Sequence, residues 1–415
     1  MLPDMPPPAH AAPSIVVDAA IPAGNLAFVA IDGDTVRLRK DLRDTEGHWI
    51  YWAFRVRGAE GRTLAFEFLD PLGADVPDRG AVGTRGAAVS TDFGATWRWT
   101  DDVRDDPRDP ATGDHASFSR FTWRFGPEDG EVWFSQTIPY GEREWGDFLS
   151  RHEADRGRVF ETGTLCRSRK GRNVECARFG RLDGEAPLKI LLTSRHHCGE
   201  TSATFVLEGF LEAVFADDDT GRRLRETAEI RAVPFVDKDG VVEGDQGKNR
   251  RPHDHNRDYG ETAIYPETRA IRDMAAAWTA GGAPPVVLDF HSPWLRGSWL
   301  EPDNSNEYAY LVGKPEMEDR QRRFCEILER VQRGGVGFRA GDYYAFGRGW
   351  NTGRNYAAGA SIIQWAIREW PESPLVASFE IPFANVRGTT LRPDVLRAFG
   401  RDVAAAVVAM MAEKR

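Results

Sequence analysis

The chain has 415 residues, of which 41% are apolar and 28% charged, with 13 Trp and 23 Phe. That length predicts more than one domain, and the apolar and aromatic content excludes a disordered chain. A formal charge of −10 and a pI near 5.5 argue against a nucleic-acid partner.

Cys166, Cys176, Cys198 and Cys325 form no CxxC pair and no dense framework, which fits a reducing cytoplasm. A Cys166–Cys176 bridge would close a short loop, and spacing leaves it open. Residues 1–14 are rich in Pro and Ala, without the basic start and apolar core of a signal peptide. No run approaches the roughly 18 apolar residues of a membrane span. The expectation is a cytoplasmic protein without a membrane partner.

From about residue 27 to 139, short alternating runs such as 49–56 and 63–68 are cut by Gly, Asp and Pro turns, and 118–125 and 131–138 continue the rhythm. This predicts an antiparallel β-sandwich, taken as a domain over residues 1–145. After Tyr140, apolar runs alternate with amphipathic stretches. The prediction for 146–415 is an α/β domain with a mixed, mainly parallel sheet flanked by helices. Its strands are expected at 188–193, 228–236, 285–290 and 375–382, and its helices at 201–215, 267–279, 316–333 and 394–413. The boundary falls near 140–151.

The segment from Leu191 to Glu200 ends a strand and begins a helix. His197 and Glu200 are three apart, which on a helical turn puts both on one face. A His nitrogen and a Glu oxygen so placed can bind one zinc ion, and one further ligand would leave a position open for water. HxxE is short and recurs by chance. His291 closes the apolar run Val286-Val287-Leu288-Asp289-Phe290, at the sheet edge where α/β folds bind ligands. Glu380 sits within the apolar run Leu375–Phe383. Burying an acid there without a partner costs several kcal/mol, which points to a general base beside a metal. Other conspicuous residues read as structural. His196 points about 100° away from His197 on a helix, His253 and His255 are solvated or hydrogen-bonded, and Cys198 is packing. Trp294, Trp299, Trp350 and Trp365 pack or line a cleft.

Taken in order, HxxE, Asp254-His255-Asn256-Arg257, the strand-end His291, Tyr356 and the strand-borne Glu380 resemble the zinc carboxypeptidase family. The cytosolic carboxypeptidase branch, which carries a β-sandwich ahead of the catalytic domain, is most similar. The resemblance covers residues 140–415 and, more loosely, the β-rich part. Val233–Val241 also resembles a family segment ending Asn-Pro-Asp-Gly-Val. The resemblance implies one zinc per chain, held by His197, Glu200 and His291, with Glu380 as the catalytic glutamate. It implies that Asn256 and Arg257 hold the substrate's terminal carboxylate, that Asp254 accepts the second N–H of His197, and that Tyr356 caps the substrate. The implied reaction is hydrolysis of the C-terminal peptide bond of peptides or protein tails. The alternative is a zinc amidohydrolase acting on N-acyl amino acids or cell-wall peptides.

Two departures stand out. Gly247 occupies the position of the family's upstream arginine, leaving Lys248 or Arg250 to steady the oxyanion. Ile363 and Gln364 occupy the positions that read side-chain type, and neither is basic, while Arg348 and Arg354 read as solvated surface.

Overall fold

The computed structural model describes residues 14–78, 80–83, 85–101, 119–293 and 308–413. The signal-peptide reading of residues 1–13, the strand start at Phe118, and Trp294 and Trp299 lie outside them. Among the described residues no helix is long and apolar enough to cross a membrane.

Nine strands come first: β1 (Val16–Asp18), β2 (Ala27–Asp32), β3 (Thr35–Arg39), β4 (Ala53–Arg57), β5 (Thr63–Phe68), β6 (Ala88–Ser90), β7 (Arg98–Trp99), β8 (Arg120–Arg124) and β9 (Glu131–Ser135). Among the described residues they form an antiparallel sheet, β1-β4-β9-β6-β7, and a second sheet, β2-β3-β5-β8. In the second sheet β3 and β5 run parallel, against the antiparallel expectation, and its other pairs are antiparallel. Alternation drives the packing. Val36 and Leu38 of β3 are buried while Thr35, Arg37 and Arg39 are only partly so. Phe54 and Phe134 of one sheet meet Phe66 of the other at ring distances of 5.5 and 5.1 Å. The strand expected from residue 49 starts only at Ala53. The backbone of Tyr51 is instead taken by the Gln246 side chain, which donates to the Tyr51 carbonyl at 2.7 Å and accepts from its N–H at 2.8 Å.

The rest of the chain begins with α1 (Glu142–Arg151), which occupies the expected boundary. Next come β10 (Phe160–Arg167), β11 (Asn173–Gly180), β12 (Leu188–Ser194), α2 (Thr201–Phe215), α3 (Asp219–Thr227), β13 (Ala228–Val233), α4 (Lys238–Glu243), α5 (Pro266–Thr279) and β14 (Val286–His291). The chain continues through β15 (Tyr310–Val312), α6 (Glu318–Val331), β16 (Tyr343–Tyr344), α7 (Ile362–Glu369), β17 (Val376–Glu380), a small hairpin and α8 (Pro393–Glu413). The sheet order is β10-β11-β13-β12-β14-β17-β15-β16. Its centre, β13-β12-β14-β17, is parallel, while β11 and β15 flank that centre antiparallel. The sheet is mixed, with helices on both faces.

Period-two alternation assigns each strand residue to a face. Ile190, Leu192, Leu288 and Phe379 join the core under α2 and α8, while Leu191, Val287 and Val376 join the core under α5 and α7. The chain's two parts are docked by specific bonds. Trp99 Nε1 donates to the Leu391 carbonyl at 2.8 Å, and Asn25 Nδ2 donates to the Gly244 carbonyl at 2.8 Å.

Candidate active site

Four parallel strands end on one edge, and their ends supply the site. β12 leads into His196 and His197, β14 ends at His291, and β17 ends at Glu380, which pairs with His291 in register. Crossing strands of one twisted sheet thus set these side chains a strand spacing apart.

His197 and Glu200 do not lie on a helical turn as expected. They flank a tight turn, with the Glu200 N–H donating to the His197 carbonyl at 3.1 Å, and Glu200 is the residue that caps α2. The turn is fixed from outside. Arg195, buried at a φ of +61°, donates through Nε to the Cys198 carbonyl at 2.6 Å and through Nη1 to the Tyr140 carbonyl at 2.7 Å. Cys198 is buried and bonds the Asp245 carbonyl at 3.0 Å, and burial pushes its thiol well above the usual range. Chemically it is a packing residue.

Three donor atoms converge. His197 Nδ1 is 3.0 Å from Glu200 Oε1, His291 Nδ1 is 2.8 Å from Glu200 Oε2, and the two Nδ1 atoms are 3.1 Å apart. All three residues are buried. Two imidazole lone pairs and a carboxylate facing one point is a donor set that suits a divalent metal, with a fourth position left for solvent. The buried Glu380 Oε2, in the same cavity, has no hydrogen-bond partner among the described residues. The residues therefore fit a metal.

Carboxylates set the charge of this cluster. Burial lowers the proton affinity of His291, but Asp289 and Glu200 outweigh it and hold the imidazole well above its ordinary range. Burial raises Glu200, yet Lys248, His197 and His291 pull it well below the usual carboxylate value. A second candidate donor group, His196, Asp289 and His291, is consumed by its own bonds. His196 Nδ1 meets Asp289 at 2.9 Å and its Nε2 meets the Tyr259 hydroxyl at 2.8 Å. His196 thus points away from the trio, as expected.

Asp289 is a site residue beyond those expected from the sequence. It accepts from His291 Nε2 at 2.6 Å, fixing which nitrogen of His291 faces Glu200. Its signal was present, since an acid two residues before His291 on a strand lies on the same face. The expected partner of His197, Asp254, stands 3.8 Å from Nε2, beyond hydrogen-bond length.

The remaining residues line a cavity of about 480 Å³. Glu380 is 6% exposed, and burial, reinforced by Glu200 against the pull of Lys248, raises its carboxyl to about 7. Asn256 Nδ2 is 3.0 Å from His291 Nε2, and its Oδ1 accepts from the Ile362 N–H. The Arg257 guanidinium is held by the carbonyls of Asn355 and Asn256 at 3.1 and 2.8 Å, and among the described residues no carboxylate pairs with it. Tyr356 stands over it, 5.3 Å from the guanidinium carbon, and donates to Asn351 Oδ1 at 3.1 Å. Lys314, unremarked in the sequence, lines the same cavity with Nζ 3.5 Å from the centre of the Tyr356 ring. Burial, aided by Arg257, lowers its ammonium to about 7.

Lys248 and Arg250 separate cleanly. Lys248 reaches Glu200 Oε1 at 3.1 Å inside the cavity. Arg250 is locked to Asp237, to Asp245 at 2.6 Å and to Asp44 at 2.9 Å, and does not line the cavity. Gly247 explains why position 247 carries no side chain. Its φ is +81°, and a Cβ there would overlap the Cys198 backbone nitrogen in the turn that carries His197. Ile363 lines the cavity, whereas the Gln364 side chain accepts the Ser361 N–H at 3.0 Å as a helix cap. Arg348 and Arg354 do not line it. His253 is bound to Asp258 at 2.6 Å and His255 stacks on Tyr265. Trp350 lines the cavity, and Trp365 is core. All four cysteines are free, Cys166 and Cys176 included.

No family model matches the chain. An uncharacterized protein of Zymomonas mobilis is 27% identical over 63% of this chain and 64% of its own length. Cytosolic carboxypeptidase 2 of Danio rerio is 25% identical over 67% of this chain and 41% of its own length. The matches thus span less than two thirds of these relatives. A metallo-carboxypeptidase from Burkholderia cenocepacia has the same fold, with a TM-score of 0.74 at 18% identity over 97% of this chain and 100% of that one. One from Pseudomonas aeruginosa gives 0.72 at 22% identity over 96% of this chain and 100% of that one. By sequence the chain is similar to carboxypeptidases of the cytosolic type, and by fold it matches the metallo-carboxypeptidases.

Proposed function

We propose that the chain is a zinc-dependent metallocarboxypeptidase that hydrolyses the C-terminal peptide bond of peptides or protein tails. The observation that carries this reading is the convergence of His197 Nδ1, His291 Nδ1 and the Glu200 carboxylate beside the unpartnered Glu380 Oε2. His197, Glu200 and His291 would hold one zinc ion. When bound there, zinc supplies Lewis acidity toward the scissile carbonyl and the attacking water.

Glu380 does the proton work. Its Oε2 accepts the proton of the attacking water and returns it to the leaving amine, which its raised affinity near neutrality suits. Arg257 and Asn256 anchor the terminal carboxylate, because a guanidinium without a carboxylate partner offers paired donors of matching geometry. Lys248 Nζ stabilises charge on the carbonyl oxygen, taking the place that Gly247 cannot fill. Tyr356 closes over the residue being removed, and Asp254 faces the outer side of His197 as a charge 3.8 Å from Nε2. The four free cysteines and the cytosolic-type relatives support a cytoplasmic location.

The test is a library of free-acid peptides incubated with zinc-loaded protein and followed by mass spectrometry. Loss of single C-terminal residues is expected, and it should vanish with chelator and in Glu380→Gln. Full activity of Glu380→Gln would overturn the role of Glu380. Equal cleavage of C-terminal amides would overturn the carboxypeptidase reading in favour of an amidohydrolase.

A further inference from the structure

One wall of the cavity comes from the N-terminal part of the chain. Trp49, Ile50 and Tyr51, on the loop before β4, line it together with Lys248 and Gly199. This strip is pinned at several points. Besides the paired bonds between Gln246 and the Tyr51 backbone, the Tyr51 hydroxyl donates to the Ala23 carbonyl and Trp49 Nε1 to the Glu46 carbonyl, both at 2.9 Å. Gln246 is buried and stands two residues before Lys248. Tyr51 packs so closely on Gly199 that a Cβ at 199 would lie 3.1 Å from it. The strip is thus held at a fixed distance from the turn carrying His197 and Glu200.

A chain of contacts gives the cavity a direction. The Trp49 ring lies 5.6 Å from Lys248 Nζ, and Lys248 reaches Glu200 at 3.1 Å. Glu200 meets His291 at 2.8 Å, His291 meets Asn256 at 3.0 Å, and the neighbouring Arg257 lies under Tyr356. A peptide with its terminal carboxylate at Arg257 and its scissile carbonyl at the trio must carry its preceding residues on toward Lys248 and Trp49. We propose that Trp49 and Ile50 form the subsite for the side chain just before the scissile bond, and that they select a large apolar or aromatic one there. This rests on the carboxypeptidase reading. The physical basis is a half-buried indole and an aliphatic side chain presented by a pinned backbone, so an incoming ring is desolvated without the loop having to be ordered first. It also gives the N-terminal part a direct role in substrate choice.

The experiment compares N-acetylated peptides identical except for Phe or Gly before the last residue, using zinc-loaded wild type, Trp49→Ala and Trp49→Phe. Wild type should prefer Phe in kcat/KM, and Trp49→Ala should cut the Phe-to-Gly ratio by about fivefold to tenfold, the scale of one aromatic contact. Trp49→Phe should retain most of the preference. Absence of a Phe preference in wild type, or an unchanged ratio in Trp49→Ala, overturns the subsite. Should Trp49→Ala fail to fold by circular dichroism, Trp49→Gln carries the same comparison. If wild type cleaves neither peptide, nor any other free-acid peptide, the carboxypeptidase reading is what fails. The Kd values of the same two peptides for wild type and variant, by calorimetry, then decide the subsite alone, and equal values overturn it.

Discussion

Asp289 touches three side chains at once: Thr193 Oγ1 at 2.7 Å, His196 Nδ1 at 2.9 Å and His291 Nε2 at 2.6 Å. It fixes the orientation of His291, and replacing it by Asn makes one of these contacts repulsive. Asp289→Asn should lower metal affinity about 10- to 100-fold while the fold persists, as read by competition with a chelating dye. Unchanged affinity would remove Asp289 from the site. Glu380 makes a prediction about pH in the metal-free protein. Its folded value, about 7, lies above the ordinary glutamate value, so the protonated form is favoured in the fold. The stability it contributes is complete below about pH 4.5 and is lost as pH rises through about 7. Metal-free Glu380→Gln should therefore gain on wild type between pH 5 and pH 8, by on the order of 2 kcal/mol in urea denaturation. A constant difference across that range would refute the raised value.

At the scale of elements, the helices with a full apolar stripe were legible. The helix over 201–215 was read to its ends, and the one over 394–413 to within a residue of its start. These two cross closely because each presents a glycine. A Cβ on Gly209 would overlap the Arg397 carbonyl of α8, and one on Gly400 would overlap the Val206 carbonyl of α2. Gly400→Ala should destabilise the protein by about 1–3 kcal/mol, although alanine is the better helix former by about 1 kcal/mol. A rise in Tm would show that the crossing relaxes at no cost. Two of the elements missed in the sequence are only partly buried. In α1 only Trp145 and Phe148 are buried, and β10 is an edge strand with a largely exposed run. Such segments give the periodicity little to detect. The HxxE segment forms a capping turn and not the expected helical one, because three-residue spacing fits both.

Across the whole molecule, Arg250 ties the parts together. It binds Asp237 and Asp245 of the α/β part and Asp44 from the β-rich part, with its side chain 7% exposed. Removing it leaves Asp237 buried without its arginine, while Asp245 keeps only Arg43, at 2.6 Å. Arg250→Met should cost about 3–5 kcal/mol and loosen the wall formed by residues 49–51, visible as faster proteolysis in that loop. A loss of under 1 kcal/mol would mean that solvent already compensates those charges.

The sequence by itself determined the layered α/β arrangement, most of its apolar strands and long helices, and the order of the residues proposed as ligands, anchor and base. Hydrophobic periodicity and strand-end position are local properties, so they can be read along the chain. Only the tertiary structure decided between Lys248 and Arg250, placed Lys314 under Tyr356 and laid Trp49 and Tyr51 along the cavity. Those pairings depend on which buried carboxylate each cation reaches and on which backbone groups the docking of two parts leaves to be satisfied. Residues far apart in the chain settle such questions, as Tyr51 and Gln246 do at 195 positions and Asp44 and Arg250 at 206, and no local pattern records them.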